Sequence, residues 1–423
     1  MLAEFVEFAV RRERWIMKNT KPNSSMVALT MCAGLLVWTL GAHAEQLPPD
    51  PNNAALLYYQ AMLLCPDLDS IPAEAIETVF GSFNLQSTKV AVSVEEVRKY
   101  AKDYKHVIQI AEAASKISRC DWGLPYPPFG GSGVGIKVSR QAKVLAFFIC
   151  AEARVLAADG DYKAGFARCL LLCRFARHFG QWQGSPLPNL LEASALRCVR
   201  QILQTMPADE KTLRWLSEQL AAKPPVTAPL SALTKNEFEC MFSQLREGLK
   251  FARMRQALAE EEANDKQSSG AVDLMSVEVL DELIRKATSE FLDPALEMLA
   301  SDIPYVSKYE KIESLAKAFN KQLMPYDPFI IPIVALVEGV STSYNNDVRY
   351  KTLENSLRAA IEIYHLRATS GRLPNAIPDG LPKDAYSGQD FEYEITDDGF
   401  LLRCRGKDLT NGRIESFAYK VQE

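Results

Sequence analysis

Histidine is scarce in this chain. Its 423 residues hold four, and none of His43, His106, His178 or His365 belongs to an H-E-x-x-H zinc pattern. There is no G-x-S-x-G elbow, so serine hydrolysis has no visible nucleophile. A basic run is also missing. With 48 basic against 53 acidic residues and a net charge of −5, the chain offers no concentrated cation for phosphates, which argues against nucleic acid. Beyond the N-terminal region no apolar run reaches the ~20 residues needed to span a bilayer. The best later stretch, Phe329 to Val340, is interrupted by Pro332 and Glu338 and reads as a buried helix. The nine cysteines form no framework. Cys150, Cys169, Cys173 and Cys198 sit in apolar helical patterns, and Cys169 with Cys173 lacks a second pair to complete a metal set. Buried free thiols, with at most one bridge, are the expectation. No metal or cofactor is predicted.

Few residues remain as catalytic candidates. Asp121, beside Trp122 in Cys120-Asp121-Trp122-Gly123, could be an acid on an aromatic platform in a cleft; the plainer alternative is a buried Trp with an Asp capping a turn. Glu95-Glu96, Asp159 with Asp161, and Asp397-Asp398 are carboxylate pairs of the kind glycosidases set across a cleft. Adjacent acids more often cap and solvate a helix start or a turn. Gly130 and Gly135 have phosphate-loop spacing, but Ile136 stands where the lysine belongs and no strand precedes them. Pro127 to Gly135 therefore reads as a flexible connector.

What is present begins with an address label. Met17 opens a segment with Lys18 and Lys21, an apolar run from Met26 to Leu40, and Ala42-His43-Ala44. That is the order of a secretory signal, with cleavage expected after Ala44; Met1 to Ile16 has no place in it, so translation is expected to begin at Met17. An uncleaved membrane anchor is the other reading, since Met26 to Ala44 approaches a spanning length. A lipoprotein site does not fit, because Met31 precedes Cys32. Localisation is thus expected to be periplasmic or extracellular, with a membrane-anchored form as the alternative.

After the Leu47 to Pro51 leader the periodicity is helical. A helix capped by Asn52 or Asn53 is predicted through Leu63, and others from about Pro72 to Phe80 and Ser93 to Ser118. Val138 to Phe179 holds two strong helices around Gly160-Asp161-Tyr162, the grammar of a tetratricopeptide-type hairpin, though no second copy follows at its period. Leu190–Thr205 with Glu210–Ala221 forms a looser hairpin. After Lys223-Pro224-Pro225, Leu233 to Glu262 places Phe238, Met241, Leu245, Leu249 and Ala252 on one side. Asn264 to Gly270 reads as an exposed loop, and Val277–Lys286, Pro294–Leu299 and Tyr309–Leu323 as further helices.

The final segment, Asn345 to Val421, changes character. Leu353, Leu357, Ile361, Tyr364 and Ala368 make one apolar stripe on a helix. Asn346 or Asp347 can cap its start, and Gly371 and Pro374 end it. Three short alternating runs follow, Phe391–Ile395, Phe400–Cys404 and Phe417–Val421, with turns at Asp398-Gly399 and Asn411-Gly412. A bare hairpin is marginal in water, so these strands need the helical stripe to pack on.

The order Ala359 to Tyr364, Gly371-Arg372-Leu373-Pro374, Leu381-Pro382-Lys383-Asp384-Ala385-Tyr386-Ser387-Gly388, Phe391-Glu392-Tyr393 and Asp398 to Leu402 resembles the C-terminal half of type II secretion major pseudopilins, over about a fifth of the chain. With Asn53-Ala54-Ala55 and the Cys-Asp-Trp-Gly sequence, it also resembles large exported bacterial proteins with no assigned activity. Ala385 stands where the pseudopilin pattern has Pro. Arg405 to Thr410 replaces the Gly- and Asp-rich end that in that family can hold calcium, and the prepilin leader is absent. The resemblance implies a fold module more than an activity.

The expected architecture is mainly α: a helical-hairpin bundle, tetratricopeptide-like in part, over residues 45–344, after an extension plus signal at 1–44. A C-terminal α+β module at 345–423 follows, of one long helix and a three-stranded antiparallel sheet. The expected role is a non-enzymatic exported envelope protein that binds or scaffolds another envelope protein. The alternative is an exported hydrolase with an acidic cleft between body and module, using Asp121.

Overall fold

In the computed structural model the described residues are 52–72, 74–76, 93–123, 133–180, 187–222, 229–263, 276–322 and 331–422. The signal segment, the Leu47 to Pro51 leader, Pro127 to Gly131, Lys223 to Pro225 and the 264–270 loop lie outside them. The helices are α1 (Ala54–Leu63), α2 (Val94–Asp103), α3 (Lys105–Ser115), α4 (Gly133–Ala158), α5 (Tyr162–Gly180), α6 (Leu187–Leu203), α7 (Glu210–Ala221), α8 (Leu230–Ala263), α9 (Val277–Ala287), α10 (Asp293–Ala300), α11 (Tyr305–Asn320) and α12 (Ile331–Ser370). Strands β1 (Glu392–Thr396), β2 (Gly399–Arg403) and β3 (Ser416–Lys420) close the chain. Mainly α with a small terminal sheet is the fold the sequence predicts. Residues Asn52–Glu423 form one compact unit.

Helix α4 is the centre of the body. Every side chain from Val144 to Ala151 is fully buried, so this stretch is apolar all round, as a helix enclosed by others must be. Helices α1, α2, α3, α5 and α6 enclose it. Gly160, at φ 88°, ends α4 in the left-handed region. Asp161 then accepts from the Ala164 N–H at 3.0 Å to start α5. A Cβ at Gly165 would lie 2.8 Å from the Ala153 carbonyl oxygen, so only glycine lets α4 and α5 approach this closely. Arg168 of α5 is neutralised by Glu112 of α3 at 2.7 Å and by Glu152 of α4, which keeps a charge within the packing paired.

Several boundaries differ from the expectation. Ser93 to Ser118 is two helices, broken at Tyr104 (φ −108°, ψ 18°). The break lets α2 pack on α4 while α3 packs on α1, and the Tyr104 ring stacks on Phe148 at 4.0 Å. Gly133 and Gly135 are not connector but the first turn of α4. Helices α9 and α10 are joined by a π turn, Thr288–Leu292, just before Pro294, whose missing N–H and ring disrupt a regular ladder.

The final helix starts at Ile331, not at Asn346 or Asp347. Ile333, Val337, Val340 and Tyr344 are buried and carry it upstream, so the boundary between residues 344 and 345 falls inside one continuous helix. Asp347 pairs with Lys351 one turn on, at 2.8 Å, instead of capping. Phe329 to Val340 is correspondingly not a buried helix throughout: from Ile331 it is the amphipathic start of α12, with Ile331 itself exposed.

The sheet is antiparallel in the order β1-β2-β3, with Ile395 opposite Phe400 and Phe400 opposite Tyr419. Its inner face carries Phe400, Leu402, Phe417 and Tyr419, all buried. It rests on the expected stripe: the Tyr364 ring meets Phe400 at 5.4 Å and Tyr419 at 6.3 Å. The sheet also needs α6, because Arg200 and Gln204 each donate to the Ala418 carbonyl at 2.9 Å. That contact covers the β3 edge, a device that keeps an edge strand from pairing elsewhere.

Two fully buried aspartates fix the loops around the sheet. Asp384 accepts from the N–H groups of Tyr386, Arg405 and Gly406, each at 2.9 Å, and from the Ser387 hydroxyl at 2.7 Å. Asp408 accepts from the Asn345 amide at 3.0 Å, from Arg349, and from the Thr410 N–H at 2.9 Å. The Tyr305 hydroxyl of α11 donates to Asn345 and accepts from the Leu409 N–H. The β2–β3 loop is thereby tied to α11 and α12.

Candidate functional site

Asp121 lies at the start of the body, and its neighbours explain its place. The Asn53 amide donates to the Asp121 carbonyl at 2.6 Å, and Asn53 Oδ1 accepts from the Asp121 N–H at 2.8 Å. The same oxygen caps α1 through Ala55. Trp122 is buried, donating its indole N–H to the His178 carbonyl at 2.8 Å. Its ring lies against Phe179 and Tyr58. The exposed Asp121 carboxylate accepts from the Gly123 N–H at 3.0 Å, a turn contact. His178 is buried with Nδ1 3.0 Å from the Tyr58 hydroxyl. Burial, with Arg177 and Arg174 nearby, lowers its pKa to about 4, so it is neutral at pH 7.

The carboxylate pairs are also occupied by structural contacts. Glu96 forms a capping box with Ser93, and Arg98 meets Glu95 and clasps both oxygens of Asp159. Asp161 starts α5 as described. Asp398 contacts Lys420 at 3.3 Å across the hairpin. The cysteines Cys65, Cys120, Cys150, Cys169, Cys173, Cys198, Cys240 and Cys404 are buried free thiols. Among the described residues no group of three or more His, Cys, Asp or Glu is placed to hold a metal, and no helix is long and apolar enough to cross a membrane.

Among the described residues, a feature open to a ligand lies elsewhere, between α8 and the start of α12. A half-open groove of about 490 Å³ is lined by Glu237, Cys240, Met241, Gln244, Leu245 and Gly248 of α8, facing Pro332, Ala335 and Leu336 of α12. That volume is in the range of ligand sites. The α8 residues recur three and four apart, so they are one stripe of one helix. Phe238 and Leu249, on the adjoining face, are fully buried. Phe238 meets Phe291 at 5.8 Å and anchors α8 to the bundle.

Gly248 is informative. A glycine inside a helix costs roughly 0.5–1 kcal/mol relative to alanine, yet a Cβ here would meet nothing within 4 Å. The same holds for Gly339, one turn beyond Ala335 on α12. Packing requires neither glycine; both leave room beside the two helices. Among the described lining residues Glu237 is the one carboxylate, and burial alone pushes its pKa up to about 7.

The sequence marked Met241 and Leu245 as part of a core stripe but gave no sign that this part of the stripe lacks cover. Nothing in its sequence context marks Glu237. The available clue was Gly248 within a strongly helical run. Compared with known proteins, the chain matches no family model, no curated protein and no solved structure.

Proposed function

We propose that this chain is an exported envelope protein with a non-enzymatic role, binding another envelope protein through the groove between α8 and α12. The observation that carries the reading is the character of that groove: half-open, mostly apolar, with one carboxylate among its described lining residues. A glycosidase-type hydrolase sets two carboxyl groups across one space. Among the described residues the two carboxyls raised to about 7 are Glu237 and Glu415. Glu237 faces the groove, whereas Glu415 is buried beside Arg349 and shares no lining residue with it. At the junction between helical body and sheet, Asp408 and Glu415 are buried around the same guanidinium, which supports a structural use of acids there. Export rests on the Met17 to Ala44 pattern, and the pseudopilin resemblance contributes a module of fold, not an activity.

The test is site-specific cross-linking in cells. A photoreactive amino acid at Ala335, in the groove, is expected to give a discrete adduct with one envelope protein. The same group at the exposed Glu394 of β1 is expected to give none. Absence of an adduct from Ala335, together with a hydrolytic activity that Asp121→Asn abolishes, overturns the reading in favour of the hydrolase.

A further inference from the structure

The stripe on α8 continues past the groove. From Met241, steps of three and four residues lead through Gln244 and Gly248 to Phe251, with Met254 a turn beyond. Phe251 is 54% exposed and Met254 46%, while Ile331, next to Pro332 on α12, is 58% exposed. Phe251 and Met254 thus extend the α8 stripe as exposed apolar side chains that the described residues leave uncovered. At 1.5 Å per residue, the line from Glu237 to Phe251 is about 21 Å long. That is the length of a four-turn helix, and a trough between two helices is the usual seat for the apolar face of a third.

Charge distinguishes the two ends of the trough. Glu237 stands at one end and has no hydrogen-bond or ion-pair partner among the described residues; Phe251 and Met254 lie at the other. Above pH 7, where Glu237 carries its charge, a partner helix covering it with an apolar group would strand an unpaired carboxylate away from water. A partner placing a cation there would instead form a partly desolvated ion pair. On this basis, which rests on the binding role proposed above, we infer that the occupant is an amphipathic helical segment of the partner protein, about four turns long, with a lysine or arginine at the end of its apolar face that meets Glu237.

The test uses the full chain and synthetic probes. One probe is a capped 18-residue helical peptide of Leu, Ala and Gln with a single Lys at one end of its Leu face. A second carries the Lys at the opposite end, and a third has Gln in its place. Fluorescence anisotropy is expected to show one Lys peptide binding roughly five- to tenfold more tightly than the Gln peptide. The advantage should shrink with added salt and vanish in Glu237→Gln. Gly248→Phe, whose Cβ meets nothing within 4 Å, should abolish binding of all three without lowering the helical circular dichroism or the thermal midpoint. Equal binding of the three peptides, a Lys preference that survives Glu237→Gln, or unchanged binding by Gly248→Phe each overturns the inference. So does a concentration-dependent dimer that Gly248→Phe dissolves, because the occupant is then a second copy. Failure of every peptide to bind sinks the helix-with-cation inference alone. The binding role is tested separately, by the adduct from Ala335 and the Asp121→Asn assay.

Discussion

Arg349 of α12 holds the carboxylate of Asp408, 59 residues further along the chain, through both its Nε and a terminal nitrogen. Asp408 is fully buried, so its charge has no recourse to water. Removing one partner of a buried pair is far more damaging than the pair is stabilising. Arg349→Met is therefore expected to lower stability by about 3–5 kcal/mol in urea unfolding. Asp408→Asn, which keeps some hydrogen bonding, should cost less. Equal and small losses in both variants would show that the pair is solvated.

The same guanidinium also lies 3.4 Å from Glu415. Burial raises the Asp408 carboxyl, but hydrogen bonds from Arg349 and Thr410 outweigh it and hold the group below the ordinary value. For Glu415 burial wins over the attraction of Arg349, and its pKa rises to about 7. One cation shared by two acids drives their titrations apart. Because the folded form holds a proton that the unfolded form has released, Glu415 favours folding below about pH 4.5. That contribution is lost as pH rises through 7, on the order of 1–3 kcal/mol. Glu415→Gln should flatten stability against pH between 4.5 and 7; an unchanged slope would remove Glu415 from this account.

His178 works in the opposite direction. Its folded-state pKa of about 4 lies below the ordinary 6.5, so the unfolded chain binds a proton that the fold rejects. Stability is present above pH 6.5 and is lost as pH falls toward 4, by on the order of 2–3 kcal/mol. His178→Gln is expected to remove that acid-side loss. Tryptophan fluorescence reports on the site directly, since Trp122 donates to the His178 carbonyl.

Three glycines separate packing from propensity. A Cβ at Gly399 would lie 2.0 Å from the Tyr419 carbonyl oxygen, within the sheet. Gly399→Ala is expected to destabilise by about 1–3 kcal/mol. Gly165→Ala, facing the Ala153 carbonyl at 2.8 Å, should do likewise. Gly248→Ala, by contrast, should stabilise by about 0.5–1 kcal/mol through helix propensity alone. Thermal unfolding of the three variants suffices, and a loss in Gly248→Ala would place that glycine in a packed contact.

The thiols should be silent in the native state. Burial raises Cys65 to about 12, and burial with the Asp121 charge does the same for Cys120. At these two little thiolate forms at pH 8, and a thiol reagent needs the thiolate; Cys198, held low by hydrogen bonds with Cys150 and Cys169, is fully buried and so out of a reagent's reach. Eight buried cysteines are expected to react only after denaturant is added. A reductant should leave the thermal midpoint unchanged; a drop of several degrees would reveal a disulfide.

Local chemistry decided what the sequence alone could fix. The three-four spacing of Leu353, Leu357, Ile361 and Tyr364, the alternation in Phe400, Leu402 and Cys404, and the turn glycines Gly160 and Gly371 are each set within a few residues. Helices, strands and a mainly α fold were therefore legible. Tertiary packing decided the rest. Where α12 begins depends on Ile333 and Val337 finding a core, and where α2 ends depends on Tyr104 reaching Phe148. Burial of Trp122 left Asp121 to a turn. The groove beside Glu237 exists because α12 covers one side of α8 and leaves its neighbour open, and no periodicity in α8 alone records which of its apolar residues a distant helix will reach.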